Sequence, residues 1–225
     1  MARFTRLQVL NTMTNLGLVP VFFEPDAERA RQVVKAVARG GCTLAEFTNR
    51  ADHAWEAFSA LESFCRNELP NVILGVGSVV DAPTAAMYIN AGASFVVSPT
   101  LNAEIARLCN RRKVPYSPGC GSASEIGQAE ELGCEIVKVF PAKEVGGPGF
   151  VKAMLGPCPW TSIMPTGGVD ATEASLAEWF GAGVACVGMG SNLITRELVQ
   201  REDWDGLARR VAETLAIIQR VRKSK

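Results

Sequence analysis

Two periods of hydrophobic and polar residues alternate along this chain. Short apolar runs lie near 18–23, 42–47, 72–76, 94–98, 114–117, 135–140, 161–165 and 184–188. Amphipathic segments with helical spacing separate them. The junctions repeat. A helix-like segment ends in Gly, and an apolar strand follows at once. Examples are Ala91-Gly92-Ala93-Ser94-Phe95-Val96, Leu132-Gly133-Cys134-Glu135-Ile136-Val137 and Ala182-Gly183-Val184-Ala185-Cys186-Val187, and Gly40-Gly41-Cys42-Thr43-Leu44 fits the same template. Glycine just past the last helical turn is a common stop signal. Helix starts are marked as well. Pro25-Asp26 and Asp81 read as caps, and Ser122-Ala123-Ser124-Glu125 and Asp170-Ala171-Thr172-Glu173 read as capping boxes. Further helices lead in over roughly 4–15 and out over roughly 203–221. Strands alternating with helices indicate βαβ units and a parallel sheet. Eight of them predict an α/β fold: a single (β/α)8 TIM barrel with an extra N-terminal helix, on the small side for that architecture. No linker splits the chain, so residues 1–225 read as one domain. An open doubly wound sheet is the alternative.

Composition narrows the function classes. The chain has 225 residues, 48% hydrophobic and 20% charged, with 23 basic and 23 acidic side chains. Charge is spread evenly until the short Arg-Lys-Ser-Lys tail, which argues against nucleic acid or an anionic membrane as partner. The apolar runs are too short to span a bilayer, and no signal-peptide core follows the N-terminus. The seven cysteines are odd in number and lack a C-x-x-C pair. They read as reduced thiols used as small hydrophobes. A soluble cytoplasmic protein is expected.

In a barrel, chemistry collects at the C-terminal strand ends. Strand two ends in Glu46-Phe47-Thr48-Asn49-Arg50, strand three in Gly75-Val76-Gly77-Ser78, strand four in Ser98-Pro99-Thr100 and strand five in Ser117-Pro118-Gly119. Strand six carries Lys138 within Glu135-Ile136-Val137-Lys138-Val139-Phe140-Pro141. A charged amine in such a strand is costly, and burial turns a lysine into a nucleophile for carbonyl substrates. The plainer reading is a lysine that snorkels to water. Glu46 is placed to move protons or to pair with Arg50 or a lysine. Arg50 carries a fork suited to a carboxylate, or is a solvated surface arginine. Thr166-Gly167-Gly168 and Gly188-Met189-Gly190-Ser191 follow the last two strands, the usual place for a phosphate in this fold. A short helix is expected to open near Asn192. Each loop alone would be an ordinary tight turn, whereas both together in this order point to a ligand. His53 is the only histidine. It lies in a helix-like stretch and excludes a triad built on another one. No His/Cys metal cluster or Walker loop is present, and an all-carboxylate metal site stays open.

These residues carry a resemblance. Over roughly residues 7–217 the chain resembles the class I 2-keto-3-deoxy-6-phosphogluconate (KDPG) and 4-hydroxy-2-oxoglutarate (KHG) aldolases. The matching motifs are Gly40-Gly41-x3-Ala45-Glu46-Phe47-Thr48-Asn49-Arg50, Gly75-Val76-Gly77-Ser78, Val97-Ser98-Pro99, Pro118-Gly119, Val137-Lys138-Val139-Phe140-Pro141-Ala142, Pro165-Thr166-Gly167-Gly168-Val169 and Gly190-Ser191-x-Leu193. The resemblance implies a pyruvate-forming lyase in which Lys138 is the Schiff-base residue and Glu46 the acid/base. Arg50 would bind the pyruvyl carboxylate, with Ser78 standing where threonine is usual. Pro99 and Phe140 would line the pocket. Thr166, Gly167, Gly168, Gly190 and Ser191 would hold the distal end of the substrate. It also implies a homotrimer, and neither metal nor other cofactor. The chain departs from the family pattern at Phe22-Phe23-Glu24, Thr100, Met189 and Asn192, around the distal end, where lower positive charge would favour an unphosphorylated or differently shaped aldehyde. Two readings stay as rivals: another phosphate-binding barrel enzyme, such as an isomerase or decarboxylase, and a non-catalytic barrel that binds a sugar acid.

Overall fold

Strands and helices alternate along nearly the whole chain in the computed structural model, which describes residues 2–223. Helix α1 (Arg6–Leu16) precedes β1 (Leu18–Phe22), α2 (Ala27–Arg39), β2 (Leu44–Thr48), α3 (Ala54–Glu68), β3 (Ile73–Gly77), α4 (Ala82–Asn90) and β4 (Val96–Val97). There follow α5 (Ala103–Arg112), β5 (Tyr116–Ser117), β6 (Gly119–Cys120), α6 (Ala123–Glu131), β7 (Val137–Val139), α7 (Gly147–Leu155) and β8 (Ile163–Pro165). The chain ends in α8 (Glu173–Ala182), β9 (Val187–Met189), α9 (Arg196–Gln200) and α10 (Trp204–Lys223).

All pairings between these strands are parallel. One sheet has the order β5-β4-β3-β2-β1-β9 and the second β6-β7-β8. Two features connect them. Only Pro118 separates β5 from β6, and a parallel bridge joins Thr166, just past β8, to Gly188 in β9. Each strand thus neighbours the next in sequence, without the reversal of order that an open doubly wound sheet requires. Most strand residues are buried on both faces, as expected where helices cover a parallel sheet.

Several predicted boundaries shift, each for a local reason. The fifth predicted strand is broken because Pro118 has no N–H to give the ladder. The second starts at Leu44 rather than Cys42, because the Cys42 N–H still closes the end of α2 on the Val37 carbonyl (3.2 Å). Asp170 does not cap α8. Thr172 does, accepting from the Ser175 N–H, while Asp170 accepts from the Asn192 side chain (2.7 Å). The short helix expected near Asn192 begins beyond Thr195 instead. His53 does not lie within a helix. It caps α3 with φ 60°, is exposed, and has Nδ1 3.1 Å from a Glu56 carboxylate oxygen. The other predicted caps are present: Asp26, Asp81 and Ser122 accept from Arg29, Thr84 and Glu125, contacts of a kind that contribute about 1 kcal/mol each.

Helix α2 packs Ala30, Val33, Val34, Ala36 and Val37 inward. Each large apolar side chain so buried contributes about 1.5–3 kcal/mol. Helix α10 lies against α2 and α8. Near its end, Arg222 donates to the carbonyls of Thr14, Asn15 and Ala185 and stacks on the Phe180 ring at 4.7 Å. All seven cysteines are free and all but Cys158 are buried. Burial pushes the Cys42, Cys65, Cys109, Cys120, Cys134 and Cys186 thiols up to about 12, so they are poor nucleophiles. No helix among the described residues is long and apolar enough to cross a membrane.

Candidate active site

Glu46 and Lys138 come from strands of the two different sheets, and each lies within electrostatic reach of the other. Glu46 is the middle residue of β2 and only 3% exposed, while Lys138 is the centre of β7 and 6% exposed. Burial disfavours the charged form of both. It pulls the Lys138 amine below its ordinary 10.5; the Glu46 charge opposes that pull and the Arg50 charge adds to it. It pushes the Glu46 carboxyl above its ordinary 4.5, against the pull of Lys138 and Arg50. No ion pair within 4.0 Å joins the two, and neither side chain has a hydrogen-bond partner among the described residues. Neither polar group is among the fully occluded ones. The amine and the carboxyl therefore remain reachable, and each charge acts on the other. The Lys138 amine sits 4.5 Å from the centre of the Phe140 ring.

Gly77 keeps room for this arrangement. A Cβ there would overlap the Glu46 carboxylate. The next residue, Ser78, has φ 59°, a left-handed conformation that costs a non-glycine residue about 1–3 kcal/mol. That turn brings its hydroxyl to the Arg50 side chain, with Nε to Oγ at 3.3 Å. The segment bearing Arg50 is held from below. Asn49 donates its N–H to the Gly77 carbonyl (2.8 Å) and accepts at its side chain from the Tyr88 hydroxyl (2.9 Å). Phe22, Phe47, Phe58 and Tyr88 form a column of edge-on rings with centres 5.0–6.0 Å apart, running from β1 through β2 and α3 to α4. The Asn49–Tyr88 bond joins residues 39 positions apart, so no local pattern announces it.

Above this floor opens a cavity of about 770 Å³. Arg50, Phe140, Thr166, Gly167, Gly168, Gly190 and Ser191 line it. The two glycine loops are tied together, since Asn192 donates its side-chain amide to the Val169 carbonyl (3.1 Å) and to Asp170. Arg210 of α10 holds the Asn192 carbonyl (2.8 Å). Gly167 and Gly168 have φ 89° and 76°, values that favour glycine. The N–H groups of Gly168, Ser191 and Asn192 donate to no backbone carbonyl among the described residues, which leaves them for an anionic or hydroxylated ligand. Glu46, Lys138, Ser78 and Pro99 are not on the cavity wall; Arg50 and Phe140, which neighbour them, are. Pro99 packs its carbonyl against Gly119, so close that a Cβ on that glycine would overlap it. Met189 is buried in β9, and Thr100 is exposed, its carbonyl accepting from Ser98 (2.5 Å). Glu24, Arg29, Val33, Arg196 and Val199 extend the wall outward from the strand ends. Of these only Glu24 stood out in the sequence. No group of three or more His, Cys, Asp or Glu side chains suited to a metal occurs among the described residues.

Comparison with known proteins gives a consistent result. The family model for KDPG and KHG aldolase matches residues 9–210. The 2-dehydro-3-deoxy-phosphogluconate aldolase of Haemophilus influenzae is 33% identical over 216 residues, covering 96% of this chain and 99% of that protein. Its counterpart in Pseudomonas aeruginosa is 39% identical over 181 residues, 80% of this chain and 79% of the relative. Among solved structures, the KDPG aldolase of Legionella pneumophila, crystallised with pyruvate captured as a covalent carbinolamine, superposes with a TM-score of 0.82 at 26% identity, covering 91% of this chain and 97% of the other. The matches run through every strand that delivers a residue to the cavity floor, and on that ground the chain belongs to the KDPG and KHG aldolase family.

Proposed function

We propose that this protein is a class I aldolase that reversibly cleaves a 2-keto-4-hydroxy acid, such as 2-keto-3-deoxy-6-phosphogluconate or 4-hydroxy-2-oxoglutarate, to pyruvate and an aldehyde. One observation carries this reading: a buried lysine amine held below its ordinary pKa lies within electrostatic reach of a buried carboxyl held above its own. Pairs of groups pushed apart in this way divide nucleophile and acid/base roles.

Lys138, as a free amine, adds to the C2 carbonyl. Loss of water from the carbinolamine gives an iminium, which acts as the electron sink. The C4 hydroxyl then gives up its proton, the C3–C4 bond breaks, and its electron pair moves toward the iminium to leave an enamine. The aldehyde departs. Protonation at C3 and addition of water release pyruvate and restore the amine. Glu46 exchanges the protons of these steps, directly or through a water. Arg50, with Ser78 beside it, binds the carboxylate and turns the keto carbon toward the amine. Phe140 and Pro99 shape the pyruvyl pocket. Thr166, Gly167, Gly168, Gly190 and Ser191 receive the distal end. No step calls on a metal or other cofactor.

The same reading includes the architecture. We infer that the two sheets form one closed (β/α)8 barrel of a single domain, with β5 and β6 as one strand and α1 as an additional N-terminal helix. The continuity at Pro118 and the Thr166–Gly188 bridge support it. A homotrimer is part of the proposal.

The test is borohydride trapping. The protein is incubated with pyruvate, reduced and mapped by peptide mass spectrometry. A pyruvyl adduct on Lys138 is the expected outcome. A folded protein that gives no adduct there, beside a working control aldolase, would sink the proposal.

A further inference from the structure

The cavity is larger than a pyruvyl group needs, and its outer part is not built from strand ends. It lies between the first turns of α2 and helix α9, under the β1–α2 loop. Glu24 stands on this wall and is only 8% exposed. One carboxylate oxygen accepts from the Asp26 N–H (3.1 Å). The other is 3.7 Å from Arg29 Nε, too far for a good hydrogen bond. Arg29 also donates to the Val199 carbonyl (3.2 Å), which pins α2 to α9 and fixes the guanidinium beside the carboxylate. Arg196, a second cation on this wall, is exposed, and its Nε donates to the Gln200 side-chain oxygen (2.8 Å).

A carboxylate accepts at up to four lone-pair sites, and Glu24 uses one or two. Its free acceptors lie next to the donors of Arg29, a combination that matches adjacent hydroxyl groups, which both donate and accept. Phe23 and Val33 beside the pair offer apolar surface for the C–H face of a carbon chain. A phosphate here would bring about two negative charges toward the Glu24 carboxylate, while the cations of this wall are already engaged, Arg29 by Glu24 and the Val199 carbonyl and Arg196 by Gln200, and like charges repel. Resting on the aldolase reading, we propose that Glu24 and Arg29 form the subsite for the aldehyde end of the substrate and select a neutral, polyhydroxylated tail over a phosphorylated one.

The test measures pyruvate release from 2-keto-3-deoxygluconate and from its 6-phosphate by the wild type, Glu24→Gln and Glu24→Arg. The wild type is expected to show a kcat/KM at least about tenfold higher for the unphosphorylated acid, the scale of one or two hydrogen bonds to a charged group. Glu24→Gln should lower that value about tenfold and leave the 6-phosphate unchanged or improved. Glu24→Arg should reverse the preference. Pyruvate trapping on Lys138 should be the same in all three. A wild type that prefers the 6-phosphate, or a Glu24→Gln variant that loses both substrates in parallel, overturns the inference. If Glu24→Arg fails to fold, the near-isosteric Glu24→Gln decides alone. A wild type that traps no pyruvate takes the aldolase reading down and this inference with it. Trapping with an unmoved substrate ratio removes only the inference.

Discussion

The floor of the site and its outer wall are made in different ways. On the floor, Glu46 and Lys138 stand on strands, nearly excluded from water, with their ionisation set by burial and by each other. On the outer wall, Glu24, Arg29 and Arg196 come from a loop and two helix starts; Glu24 is buried, Arg29 half-buried and Arg196 exposed. The floor has no freedom to adapt, since even one added methyl at Gly77 collides with Glu46. The wall is joined by long-range side-chain contacts such as Arg29 to Val199. Rigid strands are therefore assigned the chemistry common to all substrates, and the periphery is assigned the choice among them.

Substitutions can break this division, starting with the largest effect. Lys138→Ala should abolish cleavage and trapping together, a loss beyond the about 10⁴-fold upper range for a missing proton-transfer group. Appreciable residual turnover in a coupled pyruvate assay would refute the covalent route. Glu46→Gln should lower kcat by about 10²–10⁴-fold while still allowing slow trapping of pyruvate on Lys138, so that mass spectrometry separates the two roles. Gly77→Ala should cost about 10²-fold in kcat/KM, the scale of a 1 Å misplacement of a reacting group, with circular dichroism unchanged; wild-type turnover would show that the site tolerates crowding.

The pH dependence comes next. The pKa of Lys138 is lowered, so the neutral amine becomes abundant below pH 10.5. Trapping should accelerate about tenfold per pH unit and level off before 10.5. A midpoint at or above 10.5 would mean an unperturbed, solvated lysine. Glu46, raised above 4.5, should still supply a proton at pH values where an ordinary glutamate is ionised. The smallest effect tests the support under Arg50. Tyr88→Phe removes the bond to Asn49 and should raise the KM for the keto acid severalfold with kcat nearly constant, in line with about 0.5–1.5 kcal/mol for one hydrogen bond. A changed kcat with constant KM would assign Tyr88 a different task.

The floor was legible in the sequence because its residues follow apolar runs in fixed order. A lysine inside Val137-Lys138-Val139 reads by itself as one that snorkels to water; the polar residues that collect at the other strand ends are what mark the position. The glycines after β8 and β9 were equally visible, since a backbone that approaches a ligand needs them. The wall was not legible. Arg29 and Val199 are 170 positions apart, and nothing in either local pattern announces the other. The same limit hid Tyr88 beneath Asn49, and it made Asn192 look like a departure when it fastens one glycine loop to the other. Pro118 interrupts a strand whose existence was clear, because a ladder needs an N–H that proline lacks.

The fastening by Arg222 has a consequence for how the molecule comes into being. A chain made from its N-terminus has β1 early, but β9, which pairs with it, late, and Arg222 reaches back to Thr14 and Asn15 later still. Until those last residues leave the ribosome, one edge of β1 stays unpaired and the end of α1 stays unclasped. Through that interval the nascent protein carries an incompletely paired sheet, which is when it most needs protection from other chains.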